Sequence, residues 1–208
     1  MGKKDHAILL DTSDLSYEYA PLELPHQKII VTNSQKARLA VDERYQERQA
    51  QCQEALHDLQ TVIAIQNLSE LTADVFEQVQ EMIRRPVCLR RARHAVTENQ
   101  RTIQAVEALN KGDIREFGQL MNASHLSLKE DFEVSCEELD ILVEEAWEIE
   151  GVLGSRMMGA GFGGCTISIV ENDAVNEFVS RVGSHYKERT GRTAEFYIME
   201  TGNGASEV

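Results

Sequence analysis

The stretch Arg156-Met157-Met158-Gly159-Ala160-Gly161-Phe162-Gly163-Gly164-Cys165 runs straight into Thr166-Ile167-Ser168-Ile169-Val170, so a glycine loop here opens onto a strand. Gly159 to Gly164 satisfies G-x-G-x-x-G as a bare pattern, but a dinucleotide fingerprint needs a helix after the loop, whose N-terminus receives the pyrophosphate. A Rossmann site is therefore rejected. No G-x-x-x-x-G-K-[ST] stretch exists, which also excludes a P-loop. Beyond the loop, a strand from Cys165 to Val170, a helix near Asp173 to Arg189 and a strand from Thr193 to Met199 give a β-α-β ending.

Working outward, the opening third reads as a β-hairpin, with Ile8 and Leu10 and then Leu15, Tyr17 and Tyr19 spaced by two around Asp11-Thr12-Ser13-Asp14. Pro21 and Pro25 break that pattern, and Ile29-Ile30-Val31 is a short buried strand ending at Thr32-Asn33-Ser34. From about Gln35 to Ile65 the stripe Val41, Tyr45, Cys52, Leu56, Leu59, Ile63 has helical spacing, with Arg48 in one of its slots. A second helix carries Leu71, Val75, Val79 and Ile83 and stops at Arg84-Arg85-Pro86. A third carries Leu89, Ala92, Val96, Ile103, Val106 and Leu109, places Asn99 on its buried face and ends at Gly112. A short helix follows from Ile114 to Ser124. Ser135-Cys136-Glu137-Glu138 then fits a capping box, with Val134 and Leu139 as its staple, opening a helix that runs to Gly151. Strands at both ends and helices between them indicate an α+β fold whose final strands pair with each other or with the early ones.

Composition narrows the function classes. A chain of 208 residues with 42% apolar side chains can bury roughly 70% of its unfolded surface without staples. Its 21 Lys and Arg against 35 Asp and Glu give a formal charge of −14, which repels phosphate backbones and anionic lipid. No nucleic acid and no membrane is the expectation, since no run reaches the roughly 20 apolar residues of a membrane span. Met1-Gly2-Lys3-Lys4-Asp5-His6 lacks the apolar run of a signal peptide, so a cytoplasmic protein is expected. Cys52, Cys88, Cys136 and Cys165 form no C-x-x-C pair and read as reduced thiols. His6, His26, His57, His94, His125 and His185 show no metal-ligand spacing. The basic cluster Arg84, Arg85, Arg90, Arg91 and Arg93 could hold phosphate, although such residues more often pair with carboxylates such as Glu98.

Four glycines in six residues need a cause, because each costs backbone entropy. One cause is a tight loop packed under a neighbouring element. The other is a set of exposed amides that approach an anion or a sugar. In the second case Phe162 fixes the loop by burying its ring. Residue chemistry alone leaves both open.

The segment Arg156 to Cys165 resembles the third motif of galactokinases, members of the GHMP small-molecule kinases. Gly2-Lys3-Lys4-Asp5-His6-Ala7, Tyr45 with Arg48 and Cys52, Arg93-His94-Ala95-Val96-Thr97-Glu98-Asn99, Ala123-Ser124-His125 with Asp131-Phe132-Glu133-Val134, and Phe196-Tyr197 resemble galactokinase segments in the same order. The resemblance implies transfer of the ATP γ-phosphoryl group to the C1 hydroxyl of galactose with Mg2+, by positioning and charge stabilisation. It implies a C-terminal GHMP-type domain at 35–208, an antiparallel sheet packed against a helical layer. Residues 1–34 are then a β-hairpin and strand left over from an N-terminal lobe.

In galactokinases the sugar signature G-R-V-N-L-I-G-E-H-T-D-Y, the phosphate loop with its magnesium ligands and the catalytic aspartate lie upstream of the segment matched by Gly2 to Leu10. The resemblance therefore assigns no catalytic residue and no metal ligand to this chain, which is expected to be inactive alone and to bind no cofactor strongly. Galactose and ATP would be engaged through the missing lobe, or through a separate N-terminal half. Tyr45 corresponds to the tyrosine that contacts the sugar, and Gly159, Ala160, Gly161, Phe162, Gly163 and Gly164 to the loop that lines the cleft. Arg48, Asn99 and Asp131 match recurrent positions and are given structural roles. Met158 replaces the usual threonine, and Gln46 and Gln49 replace asparagine and arginine, which bears on sugar preference. The rival readings are a galactokinase-like sugar sensor that binds partners, an N-acetylgalactosamine kinase half, and a truncation product without function.

Overall fold

The computed structural model describes residues 2–37 and 41–205. Alternation at the N-terminus becomes two short strands, β1 (His6–Leu10) and β2 (Tyr17–Pro21), paired antiparallel with Leu10 opposite Tyr17. Pro21 closes β2 instead of breaking it, as a proline can on an edge strand. The hairpin forms a sheet of its own. Its base is packed, with Ala20 and Leu22 buried against Leu109. Its tip is bare, with Leu15 71% and Tyr17 49% exposed.

The main sheet has four antiparallel strands in the order β4 (Val152–Met157), β5 (Cys165–Glu171), β3 (Gln27–Asn33), β6 (Glu195–Met199). The two final strands thus pair with the early strand and not with each other. The expected division at residue 34 groups β3 with the hairpin, yet every ladder β3 forms is with β5 and β6. Neighbouring β3 residues serve opposite faces: Ile30 is fully buried and Ile29 packs toward the hairpin cluster. Strand β4, which precedes the glycine loop, was not read from the sequence, because Leu153-Gly154-Ser155-Arg156 lacks apolar alternation.

Six α-helices among the described residues supply most of the rest. They are α1 (Val41–Leu59), α2 (Ala73–Val79), α3 (Pro86–Asn110), α4 (Ile114–Glu130), α5 (Glu137–Trp147) and α6 (Val175–Thr190). Several boundaries differ from the periodicity. The second helix is a two-turn piece closed by a 3₁₀ turn at Gln80–Met82, and Pro86 begins α3, where its missing N–H costs nothing. Helix α4 runs past Ser124 to Glu130, opened by the Asp113 carboxylate accepting from the Glu116 amide at 2.9 Å. The expected capping box at Ser135 does not form. Cys136 is the N-cap, and the Ser135 hydroxyl donates instead to Asp140 Oδ1 at 2.5 Å. The staple does form, since Val134 and Leu139 share one buried cluster. Asn99 is half-buried, and its amide donates to the Ser69 carbonyl at 3.1 Å.

Two cores result. One lies between the sheet and α5 with α6, around Ile30, Leu142, Val170, Phe178, Val182 and Tyr186. The other is purely helical, around Ala55, Leu59, Phe76, Cys88, Ala92 and Val96. Helix α4 joins them by lying directly on β4, where a Cβ at Gly118 would stand 2.2 Å from the Leu153 carbonyl oxygen. Asn122 Oδ1 accepts from both Trp147 Nε1 (2.6 Å) and the Ser155 amide (2.8 Å), tying α4 to α5 and β4. Among the described residues no helix is long and apolar enough to cross a membrane.

Candidate functional site

The glycine loop is the connection between antiparallel β4 and β5, and its sequence divides into two halves with different duties. Gly159 is exposed and Ala160 half-buried, whereas Gly161, Phe162 and Gly163 are buried. The buried half is held by backbone bonds: the Phe162 amide donates to the Val134 carbonyl at 2.7 Å, and the Gly164 amide to the Lys36 carbonyl at 3.3 Å. The Ser34 amide and hydroxyl both donate to the Gly164 carbonyl, at 2.9 and 2.6 Å. Gly161 has φ +81°, and a Cβ there would lie 2.0 Å from the Val134 oxygen. Close packing therefore accounts for the C-terminal half of the loop. Only Gly159 and Ala160 face outward, in the manner the second cause requires. Phe162 does bury its ring, at 6% exposure, among Leu128, Val134, Leu139 and Met157.

Tyr45 projects from the first turns of α1, where Asp42 to Glu47 are all exposed. It is 47% exposed, so it leaves the buried stripe to which its spacing assigned it. Its ring meets Phe132 edge to face, with centroids 6.3 Å apart and planes at 84°. Phe132 in turn stacks on His94 at 4.5 Å. Burial pushes the His94 imidazole down to about 4, partly opposed by Glu98, so the stack is neutral near pH 7. The Arg44 guanidinium lies over the Phe162 ring at 5.1 Å.

These elements enclose an open cleft of about 370 Å³ lined by Val41, Asp42, Tyr45, Gln46, Gln49 and Ala160. The structure thus brings the candidate tyrosine and Ala160 of the glycine loop to one cleft, with both glutamines beside them. Gly159 and Met158 line a second cavity of about 410 Å³ between the hairpin, α3, α4 and the sheet. Gly161, Phe162, Gly163 and Gly164 line neither and act from beneath.

The segment 131–134, singled out in the sequence by resemblance alone, joins α1 to the glycine loop through contacts that its residues do not announce. Asp131-Phe132-Glu133-Val134 follows α4, and Glu133 takes the left-handed φ of +54°. Arg48 Nε donates to the Phe132 carbonyl at 2.8 Å and its NH2 to the Glu133 carbonyl at 3.1 Å. Arg91, only 1% exposed, donates to the Asp131 carbonyl at 2.5 Å, to Gln51 Oε1 at 2.8 Å and to the Glu133 carboxylate. That bond from Arg91 holds the Glu133 carboxyl below the usual carboxylate range. The visible signal was Arg48 in an apolar slot. A cation there needs acceptors, and the acceptors proved to be backbone carbonyls distant in sequence.

The basic cluster is spent on carboxylates. Arg84 pairs with Asp58, Arg85 with Glu54, Arg90 and Arg91 with Glu133, and Arg93 with Asp131. Glu98 instead receives Arg101 and Arg156 together with the Ser124 hydroxyl. The four cysteines are unpaired thiols. Among the described residues no group of three or more His, Cys, Asp or Glu side chains could hold a metal ion.

Residues 105–188 match the family model for the C-terminal domain of GHMP kinases. Over its whole length the chain is 51% identical to a galactokinase of Levilactobacillus brevis and 54% identical to one of Fusobacterium nucleatum. It spans 54% of each of those proteins. It also superimposes on the crystal structure of Lactococcus lactis galactokinase complexed with galactose, with a TM-score of 0.94 and 44% identity, covering all of this chain and 53% of that one. The chain belongs to the galactokinase family of GHMP kinases and corresponds to the C-terminal half of its members.

Proposed function

We propose that these residues serve as the C-terminal half of an ATP-dependent galactokinase acting in the cytoplasm. The observation that carries this reading is identity of 51–54% across the entire chain to galactokinases, with no part of the chain left unmatched. In the complete reaction the bond between the γ-phosphorus and the β,γ-bridging oxygen of ATP breaks, a bond forms between that phosphorus and the C1 oxygen of galactose, ADP leaves and the hydroxyl proton passes to solvent. We assign the metal and the phosphate loop to the half of the relatives' length that this chain does not span.

What this chain contributes is the part of the sugar cleft built from α1 and the β4–β5 connection. Tyr45 presents an aromatic face and a hydroxyl to the ligand, a pairing suited to a sugar, which has apolar C–H faces and a rim of hydroxyls. Ala160 brings the glycine loop to the cleft with a side chain too small to block approach, and Gly159 lines the neighbouring cavity. The buried half of the loop keeps that approach rigid, which favours a pre-organised site. Gln46 and Gln49 place neutral amides on the rim, and Met158 places an apolar side chain beside Gly159. We place the lobe boundary between Leu24 and Gln27, since β3 is an interior strand of this domain's sheet and the β1–β2 hairpin is not part of it.

The test is galactose-dependent ADP release with Mg-ATP, measured on this chain and on a protein extended upstream to the full length of its relatives. Activity in the extended protein alone is expected. Activity in neither would remove the galactokinase reading. Activity in the 208-residue chain by itself would show that the chemistry lies within it.

A further inference from the structure

Four successive carbonyls of one loop are each held by a donor from elsewhere in the molecule. Arg91 holds Asp131, Arg48 holds Phe132 and Glu133, and the Phe162 amide holds Val134. The loop is therefore fixed along its whole length, including the left-handed Glu133, a conformation a non-glycine residue keeps only when its surroundings over-determine it. Two residues of this fixed segment touch the elements that line the cleft. Phe132 presents its ring to Tyr45, and Val134 supplies the acceptor and the steric floor for the glycine loop. The two walls of the cleft, from α1 and from the β4–β5 connection, are thus set against one common part.

We propose that Arg48 and Arg91 are positioning residues of the sugar cleft, acting through loop 131–134 to set Tyr45 and the glycine loop at a fixed separation. The proposal rests on the galactokinase reading for the identity of the ligand, but not for the mechanical claim. Both arginines are suited to it. The Arg48 side chain is 11% and the Arg91 side chain 1% exposed, so neither donor set can turn to water. A guanidinium also spans two adjacent carbonyls, which a lysine ammonium on a flexible stem cannot reproduce. Arg91 is itself clamped by Gln51 from α1, and Gln51 donates onward to Glu47 at 3.0 Å, two residues beyond Tyr45. The helix that carries the tyrosine and the loop that meets it thereby share one hydrogen-bond chain.

Arg48→Lys keeps the charge and removes the fork. In the 208-residue chain, amide hydrogen exchange at Phe162 is expected to quicken about tenfold or more, while α3 amides from Leu89 to Leu109 keep wild-type rates. In the protein extended to its relatives' length, the KM for galactose is expected to rise about fivefold or more with kcat within about twofold. Phe132→Leu provides an independent arm. It leaves the pinned carbonyls in place but removes the ring facing Tyr45, so KM should rise while Phe162 exchange stays unchanged. Arg85→Lys, whose guanidinium pairs only with Glu54 among the described residues, serves as the control and should alter neither readout. Wild-type exchange at Phe162 in Arg48→Lys overturns the proposal, and so does faster exchange without any change in KM. An inactive wild-type extended protein would instead refute the galactokinase reading, and the exchange result would then decide the mechanical claim alone.

Discussion

The backbone amide of Phe162 donates to the carbonyl of Val134 at 2.7 Å, joining the glycine loop to a segment that follows α4. Through that bond a loop of high intrinsic freedom becomes one of the fixed parts of the molecule.

Gly161 is the residue that permits this contact, so Gly161→Ala should be among the most damaging single changes in the loop. Its φ is +81°, and the new methyl group would lie 2.0 Å from the Val134 oxygen. A loss of about 2–4 kcal/mol is expected in urea titration, from backbone strain together with displacement of Val134. Gly191→Ala is the comparison. It has φ +70° but nothing within 4 Å of the added carbon, so only the conformational cost of about 1 kcal/mol applies. Equal losses for the two variants would mean that the packing under the loop contributes nothing.

Tyr45→Ala separates binding from stability. The side chain is 47% exposed and, among the described residues, its one ring contact is with Phe132, so the unfolding free energy should change by no more than about 0.5 kcal/mol. In the extended protein the galactose KM is expected to rise about tenfold or more, with Tyr45→Phe intermediate. Unchanged kinetics in Tyr45→Ala would remove the tyrosine from the sugar site.

Acid should destabilise the domain before its carboxylates titrate. His94 titrates near 6.5 when unfolded and at about 4 in the folded state, so the unfolded chain binds the extra proton between those values. Stability then rises with pH across that window and is lost as pH falls through it. The loss from this group between pH 7 and pH 5 is about 2 kcal/mol. His94→Gln should show a flatter dependence of chemical denaturation over the same range. An equal slope in wild type and variant would show that His94 is not the group responsible.

Protection against hydrogen exchange should be uneven. Residues 6–19 lie in a two-stranded sheet whose tip carries exposed Leu10, Leu15 and Tyr17, whereas α3 buries Cys88, Ala92, Val96 and Leu109. Exchange is expected to be fast in the hairpin and slow from Leu89 to Leu109. Similar protection in both would show that the hairpin is supported by something other than its packed base.

The sequence by itself determined the α+β class, all six helices and every strand except β4, because each is written in local periodicity of 3.6 or 2 that neighbouring residues read without help. It also showed that the glycine loop precedes a strand, which excludes a dinucleotide site, and its ordered motifs carried the family. What only the tertiary structure decided involves partners far apart in the chain. The place of β3 between β5 and β6 depends on strands more than a hundred residues later. The exposure of Tyr45, on a stripe that reads as core, goes with a helix α1 whose buried residues, from Gln51 to Leu59, all lie beyond its first turns. The division of the glycine loop into an outward and a buried half is set by Val134 and Lys36, and the pinning of loop 131–134 by Arg48 and Arg91. A polar side chain in an apolar slot announces that it needs acceptors, but which carbonyls meet that need is fixed only when the whole chain has packed.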